Sequence, residues 1–212
     1  MPQEPQSKKV HVFVDGQNLF HGVKAAFGYR HPNYDFPRLA AEVCGLKGWS
    51  PEQVHFYTGV HTAARDPEWH RFWTAKTDVM GTRGVTVFKR DLRYTETRST
   101  ATDGTTTVHF DPREKGVDIR IALDIVRLAR EGAFDVAVVF SQDQDLSEVA
   151  DEVRRISIGQ DRWIKIASAF PFVNGQRNWR GIERTEWLPF DKALYDGCID
   201  PIDYRSWHKK RP

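Results

Sequence analysis

The chain has 212 residues, 40% of them hydrophobic and 28% charged, and its 31 Lys and Arg against 29 Asp and Glu give a formal charge of +2. That length suits one compact α/β domain with decorations rather than two full-sized domains, and no apolar stretch is long enough to span a membrane. A charge so near balance makes no case for a polyanionic partner, so any such case must rest on local patches.

The opening segment MPQEPQSKK is polar and lacks the hydrophobic centre of a secretory signal. Cys44 and Cys198 have no metal-ligand spacing. Both features point to a cytoplasmic protein with two reduced thiols. Val10 to Val14 (VHVFV) reads as a buried strand that stops at the turn Asp15-Gly16. A helix from about Leu19 to Phe27 is expected next, with Asn18 as its N-cap. Phe36 to Val43 reads as a helix and Gln53 to Thr58 as a second strand. Asp66-Pro67 starts a helix that carries Trp69, Phe72, Trp73, Lys76 and Met80 at helical spacing, and GVTVFK returns to strand character.

From Leu92 to Phe110, threonine-rich extended segments flank Thr102-Asp103-Gly104, the signature of an antiparallel hairpin. Val117, Ile121, Ile125 and Leu128 mark one helical face, and FDVAVVF is the clearest central strand. Leu146, Val149, Ala150 and Val153 mark another helix, Trp163 to Ala167 a fifth strand, and the remainder, rich in Trp, Arg and Pro, reads as irregular. Alternating strands and helices predict an α/β three-layer sandwich: a central, mostly parallel sheet of about five strands with right-handed crossovers, and a hairpin arm. The expected boundaries are a domain over 8–170 and a Trp/Arg-rich extension over 171–212 packed on it.

In an open parallel sheet, ligands bind where loops leave the carboxyl ends of the strands. Asp15 lies at the end of the first strand, Asp143 and Asp145 follow FDVAVVF, and Asp118 opens the helix before that strand. Carboxylates gathered this closely repel one another unless a cation is present. An oxygen-only set suits Mg²⁺ or Mn²⁺ completed by water and phosphate oxygens, which makes phosphodiester hydrolysis the reaction class. Each acid alone is equally well explained as a turn or cap residue; their joint placement favours chemistry. Asp124, six positions beyond Asp118, falls off its helical face and is expected to be buried behind the site or exposed.

The segments VFVDGQNLF at 12–20, KGVDIRIALDIV at 115–126 and FDVAVVFSQDQDL at 134–146 resemble the NYN domain, a branch of the PIN-like nuclease fold. The resemblance implies an Mg²⁺- or Mn²⁺-dependent ribonuclease with Asp15, Asp118, Asp143 and Asp145 as metal-binding and catalytic acids. It adds Asn18 and Ser141 to the catalytic set, and Asp124 as a supporting acid. Where the family usually has Ser-Gly-Asp-Ser-Asp this chain has Ser141-Gln142-Asp143-Gln144-Asp145, a change that bears on loop geometry and substrate access.

Position +2 from Asp15 is Gln17, which argues against a haloacid-dehalogenase-type phosphatase, and no glycine-rich loop followed by Lys-Ser/Thr argues for a P-loop enzyme. The histidines, His55 and His61 included, show no zinc-type pairing. Two basic patches stand out: Arg83, Lys89, Arg90, Arg93 and Arg98 in one, Arg205, Lys209, Lys210 and Arg211 in the other. Lys89, Arg90 and Arg93 are the candidate RNA contacts, as part of an arm beside the acids. Trp163, Trp179, Arg180, Arg184, Trp187 and Trp207 mix aromatic and basic character, and packing explains them better than base stacking. The expected partner is single-stranded or structured RNA, with no membrane; a homodimer stays open. The rival readings are a non-catalytic RNA- or protein-binding module and a DNA nuclease.

Overall fold

The computed structural model describes residues 2–100, 102–103, 105–175 and 180–205. Gly104, Trp179, Trp207, Lys209, Lys210 and Arg211, named above, lie outside the described residues.

The first strand β1 (Val10–Asp15) sends Val10, Val12 and Val14 into one hydrophobic cluster and Phe13 into another on the opposite face. A strand covered on both faces must be apolar along its whole length, which is why VHVFV shows no simple alternation. Helices α1 (Gly16–Phe27) and α2 (Phe36–Gly45) lead to β2 (Pro51–Val60), and α3 (Pro67–Thr82) leads to β3 (Val85–Asp91). Asp35 and Asp66 cap α2 and α3 through their side chains, each with proline in the first helical turn. The hairpin β4 (Arg93–Thr100) and β5 (Thr106–Arg113) follows, then α4 (Val117–Arg130) and β6 (Val136–Phe140). A short 3₁₀ turn, Gln144–Leu146, enters α5 (Ser147–Gly159), which leads to β7 (Lys165–Pro171), β8 (Glu186–Phe190) and α6 (Lys192–Gly197).

The sheet has six strands in the order β3-β2-β1-β6-β7-β8, and every pairing is parallel. One cluster packs α1, α2, α3 and Tyr195 of α6 on one face, and the other packs α4 and α5 on the opposite face. This is the expected PIN-like α/β sandwich, with one strand more than the sequence suggested. The added strand is β8, EWLPF. It sits at the sheet edge, where Pro189 costs no ladder hydrogen bond that a further strand would need.

The segment after residue 170 adds β8 to the main sheet. It is also pinned by Lys76 of α3, which is 1% exposed. The Lys76 ammonium donates to Tyr34 O at 2.7 Å, lies 3.7 Å from an Asp200 carboxylate oxygen, and stands over the Tyr204 ring. The hairpin β4–β5 is exposed along almost its whole length. Its base rests on the loop after β2, where Tyr94 OH lies 3.0 Å from His61 Nδ1 and Arg65 covers the Phe110 ring.

Candidate active site

Strand order decides where a site can form. The chain leaves β1 through α1 toward one face, and leaves β6 through the 3₁₀ turn and α5 toward the other. The two connections diverge and open a crevice at the carboxyl ends of these adjacent strands. Asp15 ends β1 and Asp143 follows β6, so both acids sit at the mouth of that crevice.

Asp15 is 5% exposed and caps α1, its Oδ1 accepting from Asn18 N at 2.9 Å. The helix begins at Gly16, and Asn18 is not its cap. A Cβ on Gly16 would stand 2.7 Å from the Phe56 ring and 3.0 Å from Tyr57 O, so glycine lets the chain turn tightly under the acid. Asn18 instead ties the two loops together: its Oδ1 accepts from Gln142 N at 2.9 Å. Asp143 receives the Asp145 N–H on Oδ1 at 3.1 Å, and its own N–H donates to Ser141 Oγ at 3.1 Å. Ser141 is buried and orients the Asp143 backbone.

A cleft of about 450 Å³ brings Asp15, Asp118 and Asp143 together with Glu114, Lys115, Gly116 and Ile119. Asp145 is exposed and is not part of this lining. Asp124 is buried elsewhere on α4, where it accepts from Tyr57 OH at 3.0 Å and Arg120 Nε at 2.9 Å and lies 3.4 Å from Arg127 Nη2. Its charge is thus balanced by two arginines. Arg90 donates to Lys115 O at 3.1 Å and so reaches the cleft wall, whereas Lys89 faces α3 and lies 3.8 Å from Asp78. Arg93 is exposed at the start of the hairpin.

Glu114 escaped the sequence reading because Arg113-Glu114-Lys115 looks like a solvated charge run. Its Oε2 accepts from Gly59 N at 2.6 Å, a contact made 55 residues away in the chain. A Cβ at Gly59 would lie 2.7 Å from Glu114 Oε2, so a side chain there would block the approach. Burial pushes the Glu114 carboxyl up to about 7; the Asp15 charge adds to this, the Gly59 bond opposes it, and Asp118 contributes last. Burial likewise raises Asp15 to about 6, opposed by the Asn18 bond and assisted by Asp143 and Asp118.

The sequence also gave no hint of a histidine pair. Parallel pairing of β1 with β2 sets His55 Nε2 3.3 Å from His11 Nδ1, and burial lowers His55 to about 4, so the pair is neutral at pH 7. Of the described aromatic and basic residues near the C-terminus, Trp187 Nε1 donates to Ile182 O at 2.9 Å, Arg180 pairs with Glu183 and Arg184 with Asp151. Lys8 and Lys165 lie over Trp163. These groups are thus engaged within the fold, the two arginines by ion pairs and the Trp187 ring by a hydrogen bond.

The sequence model of the NYN domain matches residues 9–158. The chain belongs to the NYN domain family. This is a PIN-like, nuclease-type family whose nucleases usually use divalent metals, which points to a nucleic-acid substrate. No curated protein matches the chain. Among solved structures, a protein of unknown function from Vibrio parahaemolyticus is 16% identical, with 93% of each chain covered and a TM-score of 0.47. The ribokinase of Giardia lamblia is 9% identical, covering 82% of this chain and 54% of its own, with a TM-score of 0.37. No helix among the described residues of this NYN protein is long and apolar enough to cross a membrane.

The donor chemistry of the cleft fits a hard cation. Its acids offer only oxygen, and Asp15 and Glu114 hold their protons above the usual carboxylate range. Among the described residues no three His, Cys, Asp or Glu side chains are already set to grip one ion. Mg²⁺ commonly needs only one or two direct carboxylates, with water supplying the rest.

Proposed function

We propose that this NYN protein is an Mg²⁺- or Mn²⁺-dependent ribonuclease that hydrolyses RNA phosphodiester bonds in the cleft between β1 and β6. The observation that carries the reading is the joint lining of one crevice by Asp15, Asp118 and Asp143, with Glu114 beside them. Asp15, Asp118 and Asp143 would hold the ion, and Asp145, exposed at the rim, would reach it only through water. A bound divalent cation supplies Lewis acidity at the scissile phosphate and a more acidic water.

The protein's own groups do the positioning. The Asn18 bond to Gln142 N fixes the distance between the loops that carry Asp15 and Asp143. Ser141 and the Asp145 N–H fix the turn at Asp143. Lys115 on the cleft wall, Arg90 behind it and Arg93 on the arm place positive charge where a phosphate backbone would approach.

Asp143→Asn keeps the size of the side chain and its bond from the Asp145 N–H. The variant is expected to fold as the parent does and to lose cutting of single-stranded or structured RNA in Mg²⁺ or Mn²⁺ by at least about 100-fold, on the order of 3 kcal/mol. Undiminished cutting would remove Asp143 from the mechanism. The unconverged carboxylates favour a second reading, a non-catalytic RNA- or protein-binding module. Calorimetric titration separates the two: the nuclease binds Mn²⁺ at the acids, with weaker binding in Asp143→Asn, and the binding module does not. Competition between matched RNA and DNA strands decides between a ribonuclease and a DNA nuclease.

A further inference from the structure

A second concavity lies on the α1–α3 side of the sheet and shares no residue with the acidic cleft. Its volume is about 410 Å³, within the range of small-molecule sites. Three segments build it: Arg30 and His31 from the connection between α1 and α2, the first turns of α3, and Tyr204 with Arg205 after α6.

The lining has two chemical halves. Trp69 of α3 is half-buried, edge-on to Phe72 at 5.2 Å and 6.2 Å from the Phe20 ring of α1, and the buried rings of Phe72 and Tyr204 complete an aromatic floor. Arg30, Arg71 and Arg205 surround it, against Glu68 as the one acid of the lining. Arg205 is engaged by Asp203 through two bonds of 2.9 and 3.0 Å. Arg30 and Arg71 are exposed and have no ion-pair partner among the described residues. Arg30 and Arg71 therefore present two guanidinium groups without a carboxylate partner beside an aromatic surface.

Guanidinium groups bind phosphate oxygens through paired donors, and aromatic rings take a flat base by stacking or edge contact. A ligand satisfying both halves must join a planar ring system to an anion within a few ångströms, and the volume admits one such unit. We propose that this cleft binds one nucleoside phosphate, either a free mononucleotide or the phosphorylated terminal nucleotide of a single strand. The site stands apart from the nuclease reading, because no residue of the acidic cleft takes part in it.

The test uses the full chain carrying Asp143→Asn in a chelator, so that neither catalysis nor metal binding contributes. Adenosine 5′-monophosphate, adenosine, inorganic phosphate and a hexa-adenylate with and without a 5′-phosphate are titrated by calorimetry. Adenosine monophosphate is expected to bind at least about tenfold more tightly than adenosine or phosphate alone. Arg30→Gln and Arg71→Gln, both at exposed positions that leave the core intact, are each expected to weaken it about tenfold. A 5′-phosphorylated strand that binds more than tenfold better than the mononucleotide and the unphosphorylated strand identifies a strand end as the ligand; equal or weaker binding identifies the free nucleotide. The proposal is overturned if adenosine monophosphate does not bind, if adenosine binds equally well, or if both arginine variants bind as the parent does. Failure here leaves the acidic cleft untouched, and loss of the nuclease reading leaves this site untouched.

Discussion

Replacing Asp15 by asparagine should stabilise the metal-free protein at neutral pH. Asp15 takes up its proton at about 6 in the folded state against 3.8 as the ordinary value, because burial and the neighbouring acids disfavour its charge. A carboxyl with a raised folded-state pKa stabilises the fold while it is protonated, and that contribution disappears as pH rises through about 6. Roughly two pH units correspond to about 3 kcal/mol at pH 8. Asparagine keeps the acceptor for Asn18 N and is as good an N-cap as aspartate, but it gives up a charge-assisted bond worth roughly 1 kcal/mol. The net gain is about 2 kcal/mol, or about 4–8 °C in melting temperature for a domain of this size. Thermal unfolding of parent and Asp15→Asn in a chelator at pH 8 and pH 4.5 measures it. The variant should melt higher at pH 8, and the difference should shrink at pH 4.5, where the parent keeps its proton. Millimolar Mn²⁺ should then stabilise the parent more than the variant. A variant that melts no higher at pH 8, or whose advantage is the same at both pH values, would refute the idea that repulsion and burial strain this acid.

Asn18→Ala removes the side-chain bridge between the β1 and β6 loops. A loss of about 1 kcal/mol in chemical denaturation is expected, together with an RNA-cutting defect seen in the turnover rate more than in the Michaelis constant; wild-type turnover would show that the bridge does not position the acids. Lys76→Met removes a buried ammonium whose desolvation outweighs its attraction to Asp200, and with it the bond to Tyr34 O, so the two effects largely offset and stability at pH 7 should change by no more than about 1 kcal/mol. Burial lowers Lys76 to about 8 from 10.5, so the folded protein sheds that proton before the unfolded chain does, and the parent gains stability from about pH 8 toward 10.5. Urea unfolding at pH 7 and pH 9.5 should show the parent gaining on the variant, and a constant gap would count against the buried-charge account.

The parts of this architecture visible in the sequence were those encoded locally. VHVFV and FDVAVVF announce buried strands because both faces are covered, and each ends beside an aspartate, so the residue pattern alone puts two acids at one sheet edge. The hairpin was marked by Thr102-Asp103 and its flanking threonines. What stayed hidden depends on distant contacts. Glu114 differs from a surface acid because Gly59 lets it close on a backbone N–H, and Asp145 differs from Asp143 in lying within the 3₁₀ turn that Asp143 caps. Strand β8 is five residues long, and although its burial alternates, the outward Trp187 and Pro189 are as apolar as the inward Leu188 and Phe190, so the residue types carry no period-two signal.

The two glutamines that set this chain apart from the usual NYN loop show how such a departure can be accommodated. Glycine earns its place in a turn when the backbone needs positive φ. Among the described residues the non-glycine positions of that kind are Asp161 and Arg184, so Gln142 and Gln144 stand in ordinary backbone. Their amides reach outward instead. Gln142 Nε2 donates to Arg180 O at 2.9 Å, while Gln144 Nε2 donates to Gly181 O at 3.1 Å and its Oε1 accepts from Glu183 N at 3.2 Å. Three bonds thus fasten the segment between β7 and β8 against the loop that carries Asp143, and Ile182 within that segment is fully buried. A smaller pair of residues would leave those backbone groups to water and the segment less firmly held. The two glutamines therefore brace the Asp143 loop from its β7 side, leaving the crevice between β1 and β6 open toward Asp143.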